Sequence, residues 1–168
     1  MCADIMRLMF IMVVLPMNVA YSPATCTPLK YKFTFIFDKT EHIFKVHGIW
    51  PDLCAECTTC SYPSCCNADN ITYTEPYDPT HFIPLNWFNG TATEDCTDQR
   101  KVSLFEHEFY KHASCSTDMK TTDDFLNKAI ELYDSYYGVY VSGKCDGYSQ
   151  LWIDLDDQYG YVGTICTN

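Results

Sequence analysis

Residues 31–37 read YKFTFIF, and their strict alternation largely decides the fold of this chain. Tyr31, Phe33, Phe35 and Phe37 fall on one face, while Lys, Thr and Ile fall on the other. A period of two with large aromatic residues on one side predicts a β-strand that buries that side in a hydrophobic core.

A second strand is predicted immediately downstream, over residues 42–47. Here Phe44 and Val46 share the core face, so that His47 points the other way, just where Gly48 lets the backbone bend. The short DKT sequence between the two runs is typical of a hairpin connection. A cysteine-dense loop is expected over residues 52–70.

The rest of the chain predicts helices followed by further strands. Residues 105–115 contain no Pro or Gly, and residues 122–137 carry apolar side chains at helical spacing before Gly138, which we expect to end that helix. Residues 151–156 alternate as a strand, with residues 159–165 as its partner. This order predicts an α+β fold, a mainly antiparallel sheet with helices packed against it.

The N-terminal segment is predicted to be separate from the folded part. After Arg7, the run LMFIMVVLPMNVA has the length of a signal-peptide apolar region. Its shortness and Pro16 argue against an uncleaved membrane anchor. We expect residues 1–24 to be a signal peptide, cleaved at about 20–25, and residues 25–168 to form a single domain.

The cysteines and glycosylation sequons support the secretory route. Eleven cysteines become ten once the segment with Cys2 is removed, an even number suited to a disulfide-stabilised fold. Sequons at Asn70 and Asn89 predict N-glycosylation. We expect a secreted protein, extracellular or in the lumen of an acidic secretory or endolysosomal compartment, with no membrane attachment after cleavage. The run CAECTTC would suggest a thiolate metal cluster only in a reducing compartment.

The net charge of −11 limits the classes of partner. Tight nucleic-acid binding requires many basic residues that neutralise phosphates, so a stable nucleic-acid complex is not expected. Local binding of one or two phosphates remains compatible with this charge. Most of the acidic residues are interpreted as a solubilising surface.

The segment FEHEFYKHASC (105–115) contains several side chains that can donate or accept a proton. On a helix at about 100° per residue, His107, Glu108, Lys111 and His112 fall within about 140° of each other, on one side. Taken alone, such a segment is more often a solvated surface strip. An active site therefore needs support from elsewhere in the chain.

A metal site is the first functional alternative. The zinc-protease pattern HExxH places its histidines four residues apart, whereas His107 and His112 are five apart. The geometry is wrong by about 100°, and the Lys111 ammonium would repel a cation. We expect no metal and no cofactor.

A second alternative is RNA cleavage through the 2′-hydroxyl, which needs a base, an acid and cations around the phosphate. Two histidines can act as the acid and the base, because a pKa near 6.5 makes both forms accessible. His47, on its own strand, is the obvious partner for the helix. His42 and His81 lack comparable surroundings and are interpreted as structural or surface residues.

Two segments of the chain resemble those of a known family. VHGIWPD (46–52) and FEHEFYKHASC (105–115) resemble the two active-site segments of the ribonuclease T2 family of secreted endoribonucleases, HGLWP and HEWxKHGTC. YPSCCN (62–67) resembles a further segment of that family. The departures from the motifs are Ile49 for Leu, Phe109 for Trp, Ala113 for Gly and Ser114 for Thr.

The resemblance implies a cofactor-free enzyme that cuts single-stranded RNA to 2′,3′-cyclic phosphates and does not cut DNA, which lacks the 2′-hydroxyl. By the same resemblance, His112 is the general base and His47 the general acid. Glu108 and Lys111 orient and polarise the phosphate and stabilise its developing charge.

Further residues are implied to bind the substrate. His107 would bind phosphate, while Trp50 by stacking and Asp52 by hydrogen bonding would seat the base on the 5′ side. Trp50 fits a core aromatic beside the cysteine loop equally well. Leu104 stands where an aromatic often holds the 3′-side base, so that subsite is expected to be weak or differently specified.

The resemblance also implies a Cys66–Cys115 disulfide, and Cys145–Cys166 is a plausible closing pair for the final strands. The pairing of the other six stays open: Cys26, Cys54, Cys57, Cys60, Cys65 and Cys96. Two functions remain, a monomeric secreted ribonuclease or a cysteine-rich glycoprotein effector that keeps the fold but acts through its surface. All four polar residues of the second motif are present (His107, Glu108, Lys111 and His112), and this favours the enzyme because a binding protein has no need to keep them together.

Overall fold

A computed structural model describes residues 27–55, 63–66, 68–75, 87–93, 96–97 and 99–168. The predicted signal peptide with Cys2 lies outside the described residues, as do His81, Cys26, Cys57 and Cys60. In chain order the elements are β1 Pro28–Asp38, β2 Ile43–Cys54, β3 Thr91–Thr93, β4 Lys101–Ser103, α1 Leu104–Lys111, α2 Thr122–Tyr136, β5 Gln150–Asp156 and β6 Tyr161–Thr167.

The main sheet is antiparallel and has the strand order β2-β1-β5-β6. The segment YKFTFIF therefore forms one of its two central strands, between the hairpin partner β2 and the C-terminal β5. Strands β3 and β4 form a separate ribbon that leads directly into α1. The predicted α+β class, with helices packed on an antiparallel sheet, is confirmed. No helix among the described residues is long and apolar enough to cross a membrane.

One face of the sheet is buried against the helices. Phe33 and Phe35 of β1 are fully buried there, beside Phe109 of α1 and Phe125 of α2. The alternating residues of β5 join the same core: Leu151, Ile153 and Leu155. Helix α2 begins with a capping box in which Thr121 and Asp124 satisfy each other's backbone N–H groups. This apolar layer fixes the sheet relative to both helices.

The chain at the C-terminal ends of α1 and α2 differs in part from the prediction. Helix α1 ends at Lys111, and residues 113–115 form a tight 3₁₀ turn instead of continuing to Cys115 as an α-helix. The tighter turn keeps Ala113 and Cys115 buried. The α-helical part of α2 ends at Tyr136, within one residue of the prediction, but Gly138 does not end the helical backbone, which continues as a π-helical turn over Tyr137–Val141. The wider turn buries Val141 in the core.

Strand β2 also runs further than predicted, through Gly48 to Cys54. The start of the expected cysteine loop is therefore strand, because its backbone pairs with β1.

Three disulfides join the described elements: Cys65–Cys96, Cys66–Cys115 and Cys145–Cys166. The last two are the pairs that sequence reasoning proposed. Cys54 is disulfide-bonded as well. The Cys145–Cys166 bond ties β6 to the chain that precedes β5, whereas the other two hold the segment after β2 against the helix-bearing part of the chain.

Candidate active site

Strand β2 presents His47 through an irregularity in its pairing with β1. Val46 pairs with Phe35 and Gly48 pairs with Thr34, so His47 is the extra residue of a β-bulge. Bulges re-aim side chains and are frequent beside active sites. The Thr34 hydroxyl donates to the Gly48 carbonyl at 3.0 Å and holds the strand on the far side of the bulge. Alternation predicted that His47 faces away from Phe44 and Val46, but it did not reveal the bulge at this residue.

Helix α1 presents the other half of the site. Its start is capped by Ser103, whose hydroxyl accepts the Glu106 N–H at 3.1 Å. At its end, the Lys111 carbonyl accepts the Cys65 N–H at 2.8 Å. His112 occupies the C-cap position, where its own N–H still donates to the Glu108 carbonyl. Both ends of this short helix are therefore held, and His112 lies at a fixed point.

The buried carboxylate of Glu108 joins the two halves. Its Oε1 lies 3.2 Å from His47 Nε2, and its Oε2 lies 3.8 Å from His112 Nε2. The Trp50 indole N–H donates to Oε2 at 2.6 Å. One carboxylate therefore contacts both imidazoles, which come from elements about sixty residues apart in sequence. Among the described residues, His47 Nδ1 and His112 Nδ1 are buried without a hydrogen-bond partner.

Gly48 makes this close approach possible. A Cβ added at Gly48 would lie 2.3 Å from Glu108 Oε2 and 3.0 Å from Trp50 Nε1. Neither atom belongs to the free end of a flexible surface chain, since Glu108 is almost completely buried. A side chain at this position would therefore displace the carboxylate. The glycine of the HG pair is therefore required by packing.

Protonation of the pair is governed by burial and by neighbouring charges. Burial lowers the pKa of His112 to about 4, with Glu108 opposing the change and the positive charge of Lys111 adding to it. Burial alone would raise the pKa of Glu108, but His112 and His47 hold it below its usual value. At neutral pH the site therefore contains an ionised carboxylate and a neutral His112.

The remaining helix residues gather on the same side, as helical spacing predicted. Lys111 and His107 are close enough for their positive charges to lower the pKa of His112. His107 is anchored through Nδ1, which lies 2.7 Å from the backbone carbonyl of Thr93 in β3. Its ring orientation is therefore set by the neighbouring ribbon. With Nδ1 donating to this carbonyl, Nε2 is the nitrogen left to face a phosphate, and it donates to a phosphate oxygen when the ring is protonated.

The two predicted base-binding residues both lie on β2, and Trp50 lies beside the histidines. The Trp50 ring stacks on His112, with centroids 5.0 Å apart and an interplanar angle of 29°, and it meets His47 edge-on at 5.1 Å. Asp52 pairs with Lys32 at 3.3 Å. Trp50 thus contacts both imidazoles and the carboxylate, an orienting position that sequence reasoning did not assign to it.

The burial of Lys32 and the cavity beside Leu104 were not predicted from the sequence. Lys32 was placed only on the outer face of its strand, yet it is buried and pairs with a carboxylate from each neighbouring strand, Asp52 and Asp154. Leu104 lines a cavity of about 220 Å³ together with Tyr73, Trp87, Phe88 and Phe105.

The structure places both predicted glycosylation sites, Asn70 and Asn89, at exposed positions. Within the described part of the chain, no group of three or more His, Cys, Asp or Glu side chains is arranged to hold a metal ion.

Comparison with known proteins gives two matches. The family model of the ribonuclease T2 family matches residues 12–142. Ribonuclease DdI of Dictyostelium discoideum is 30% identical over 105 residues, a match that covers 61% of this chain and 42% of that protein. The chain therefore spans less than half of the length of this curated relative. No solved structure matches the chain significantly.

Proposed function

The chain belongs to the ribonuclease T2 family, and on that premise we propose that it is a secreted, metal-independent endoribonuclease. It would cut single-stranded RNA by transphosphorylation, leaving a 2′,3′-cyclic phosphate and a free 5′-hydroxyl. The observation that carries the proposal is the buried Glu108 carboxylate, which contacts an imidazole from β2 and an imidazole from α1.

In this proposal His112 is the general base. Its lowered pKa keeps the ring neutral at and below neutral pH, so that it can accept the proton of the 2′-hydroxyl as that oxygen attacks phosphorus. The stacked Trp50 fixes the plane of the ring. When the proton arrives, the nearby Glu108 carboxylate stabilises the imidazolium.

His47 is the general acid. A protonated His47 forms an ion pair with Glu108 at 3.2 Å, which holds the imidazolium in place. As the bond between phosphorus and the 5′-oxygen breaks, His47 gives its proton to that oxygen. The proton gained by His112 and the proton lost by His47 balance, and the later exchange of protons with water restores the enzyme.

The cations of α1 complete the proposed site. Lys111 would stabilise the negative charge that develops on the phosphoryl oxygens, and His107 would bind the phosphate. Glu108 is ionised and would repel the phosphoryl oxygens, so we propose that it orients the two imidazoles rather than the phosphate itself. This refines the role that the resemblance implied.

We also propose that the protein acts as a monomer outside the cytosol, in the extracellular space or an acidic secretory compartment. The disulfides support this location, because such bonds persist in oxidising compartments. The acidic net charge supports rapid release of RNA over a lasting complex.

The test is incubation with single-stranded RNA in EDTA between about pH 4 and 8, with analysis of the ends produced. We expect 2′,3′-cyclic phosphates, undiminished by EDTA. His112→Ala should lower the rate by about 10²- to 10⁴-fold. The matched control is His42→Asn, since His42 is exposed at the β1–β2 turn with a φ of 56°, which Asn tolerates.

A full rate in His112→Ala would refute the assigned base. Loss of activity in EDTA would instead require a metal. If RNA is not cleaved at any pH, the hypothesis of a secreted effector or binding protein is favoured over that of an enzyme.

A further inference from the structure

The outer face of the sheet, opposite the core, carries a second group of charged and aromatic side chains beside the histidines. Lys32 of β1 pairs in register with Trp50 on one side and with Asp154 on the other. Trp152 lies two residues before Asp154 along β5, on the same face. Cross-strand partners on one face are neighbours in space. This group extends the site across three strands.

Lys32 holds the group together. Its ammonium lies 2.7 Å from Asp154 Oδ1, 3.3 Å from Asp52 Oδ2 and 5.7 Å from the centroid of the Trp152 ring. The lysine side chain is buried, whereas the two carboxylate side chains are 26% and 28% exposed. Burial opposes the charge on Lys32, but the carboxylates outweigh it and raise the lysine pKa. The two carboxylates are therefore partly exposed to solvent and are held in place by a buried cation.

This group is in direct contact with the proposed catalytic centre. The Trp50 ring meets the Trp152 ring at 6.0 Å and stacks on His112 at 5.0 Å. Because His112 already lies against the Trp50 ring, the half-exposed Trp152 supplies the next aromatic surface outward. A nucleotide whose 2′-hydroxyl reaches His112 would therefore extend its base toward Trp152 and the carboxylates.

We propose that Trp152, Asp154 and Lys32 complete a base-binding subsite with Trp50 and Asp52, and that this subsite selects against uracil on the 5′ side of the cleaved bond. The inference rests on the proposed ribonuclease function. Trp152 provides a surface on which a base stacks, and the two lysine-bound carboxylates read the edge of that base.

The selection follows from the chemistry of the bases. Ionised carboxylates only accept hydrogen bonds. Guanine presents two adjacent donors, N1–H and N2–H, that match one carboxylate, while adenine and cytosine each present an exocyclic amino group. Uracil offers a single N–H between two carbonyl oxygens, which the carboxylates repel. A paired contact of this kind is worth on the order of tenfold or more in discrimination.

The test compares cleavage of GpU, ApU, CpU and UpU by the full chain. We expect kcat/KM for GpU to exceed that for UpU by on the order of tenfold. Asp154→Asn should shrink this ratio several-fold, because the amide offers a donor to the uracil carbonyl. The control is Asp134→Asn, an exposed aspartate on α2, which should keep the wild-type ratio.

Isothermal titration calorimetry of guanosine 3′-phosphate and uridine 3′-phosphate tests the base-binding subsite separately from the ribonuclease function. Cleavage of all four dinucleotides at equal rates, or an unchanged ratio in Asp154→Asn, overturns the subsite while leaving the ribonuclease intact. If nothing is cleaved but guanosine 3′-phosphate binds more tightly in an Asp154-dependent way, the subsite stands and the ribonuclease fails. Equal or absent binding of both nucleotides, without cleavage, overturns both.

Discussion

The two faces of the main sheet use the same strands for different purposes. On the inner face, Phe33 and Phe35 of β1 pack with the apolar residues of β5 against α2, and all are fully buried. On the outer face, one residue away along the same strands, Lys32 and Thr34 are equally buried but are polar. Each finds a specific partner, an aspartate pair for the lysine and the Gly48 carbonyl for the threonine.

The inner face therefore mainly stabilises the fold, whereas the outer face mainly positions the reactive side chains. Apolar burial is favourable without directional hydrogen bonds, so the closely packed inner face supplies most of the folding energy. Buried polar groups are costly unless they are paired, so the outer face requires fixed positions and gains little stability from them. Side-chain alternation places the apolar and the polar residues on opposite sides of one sheet. Mutations on the inner face should therefore lower stability, and mutations on the outer face should lower activity.

The largest effect on stability is expected on the inner face. Phe33→Ala removes a fully buried ring and should lower the free energy of unfolding by about 3–5 kcal/mol, measured by urea denaturation. The control is Ile36→Ala on the outer face of the same strand, where the side chain is only half-buried. Equal losses from the two variants would remove the distinction between the faces.

On the outer face, the expected loss is of activity. Gly48→Ala places a methyl group 2.3 Å from Glu108 Oε2 and should displace the carboxylate from both histidines. We expect at least about a hundredfold loss of kcat, in line with the loss of general acid–base catalysis, with a smaller change in unfolding free energy than in Phe33→Ala.

The control for Gly48→Ala is Gly163→Ala on the edge strand β6, where an added Cβ meets no atom within 4 Å. A Gly48→Ala enzyme with full activity would show that the position of Glu108 does not matter for catalysis.

A smaller effect is expected in the pH profile. His112 accepts a proton only when it is deprotonated, so kcat/KM should fall below a midpoint near pH 4, about tenfold per pH unit. The positive charge of Lys111 lowers this pKa, so Lys111→Met should move the midpoint to higher pH. A midpoint that stays in place would mean that the acid limb reports a different group, or the coupled His112–Glu108 pair as a whole.

The sequence predicted the parts of the structure that depend on local pattern. The alternation of YKFTFIF identified the central strand and its inner face, and the helical spacing of His107, Glu108, Lys111 and His112 placed them on one side of α1. Both patterns repeat within a few residues, so neighbours in sequence suffice to reveal them.

The features that sequence reasoning missed depend on distant partners. The β-bulge at His47 depends on the register with β1, and the burial of Lys32 depends on Asp154, 122 residues away. The α-helix of α2 ends near Gly138 as expected, but the π-helical turn that follows it and buries Val141 in the core was not predicted. A single sequence contains no local signal for such tertiary effects.

The central claim is that His47 and His112 divide the acid and base roles, and a change of leaving group tests it most directly. A guanosine 3′-aryl phosphate with a p-nitrophenolate leaving group needs no proton on departure but still needs its 2′-hydroxyl activated. His47→Ala should therefore recover most of its lost rate on this ester relative to RNA, while His112→Ala should remain as impaired as on RNA. Recovery by His112→Ala alone, or equal impairment of both variants on both substrates, would contradict the assignment.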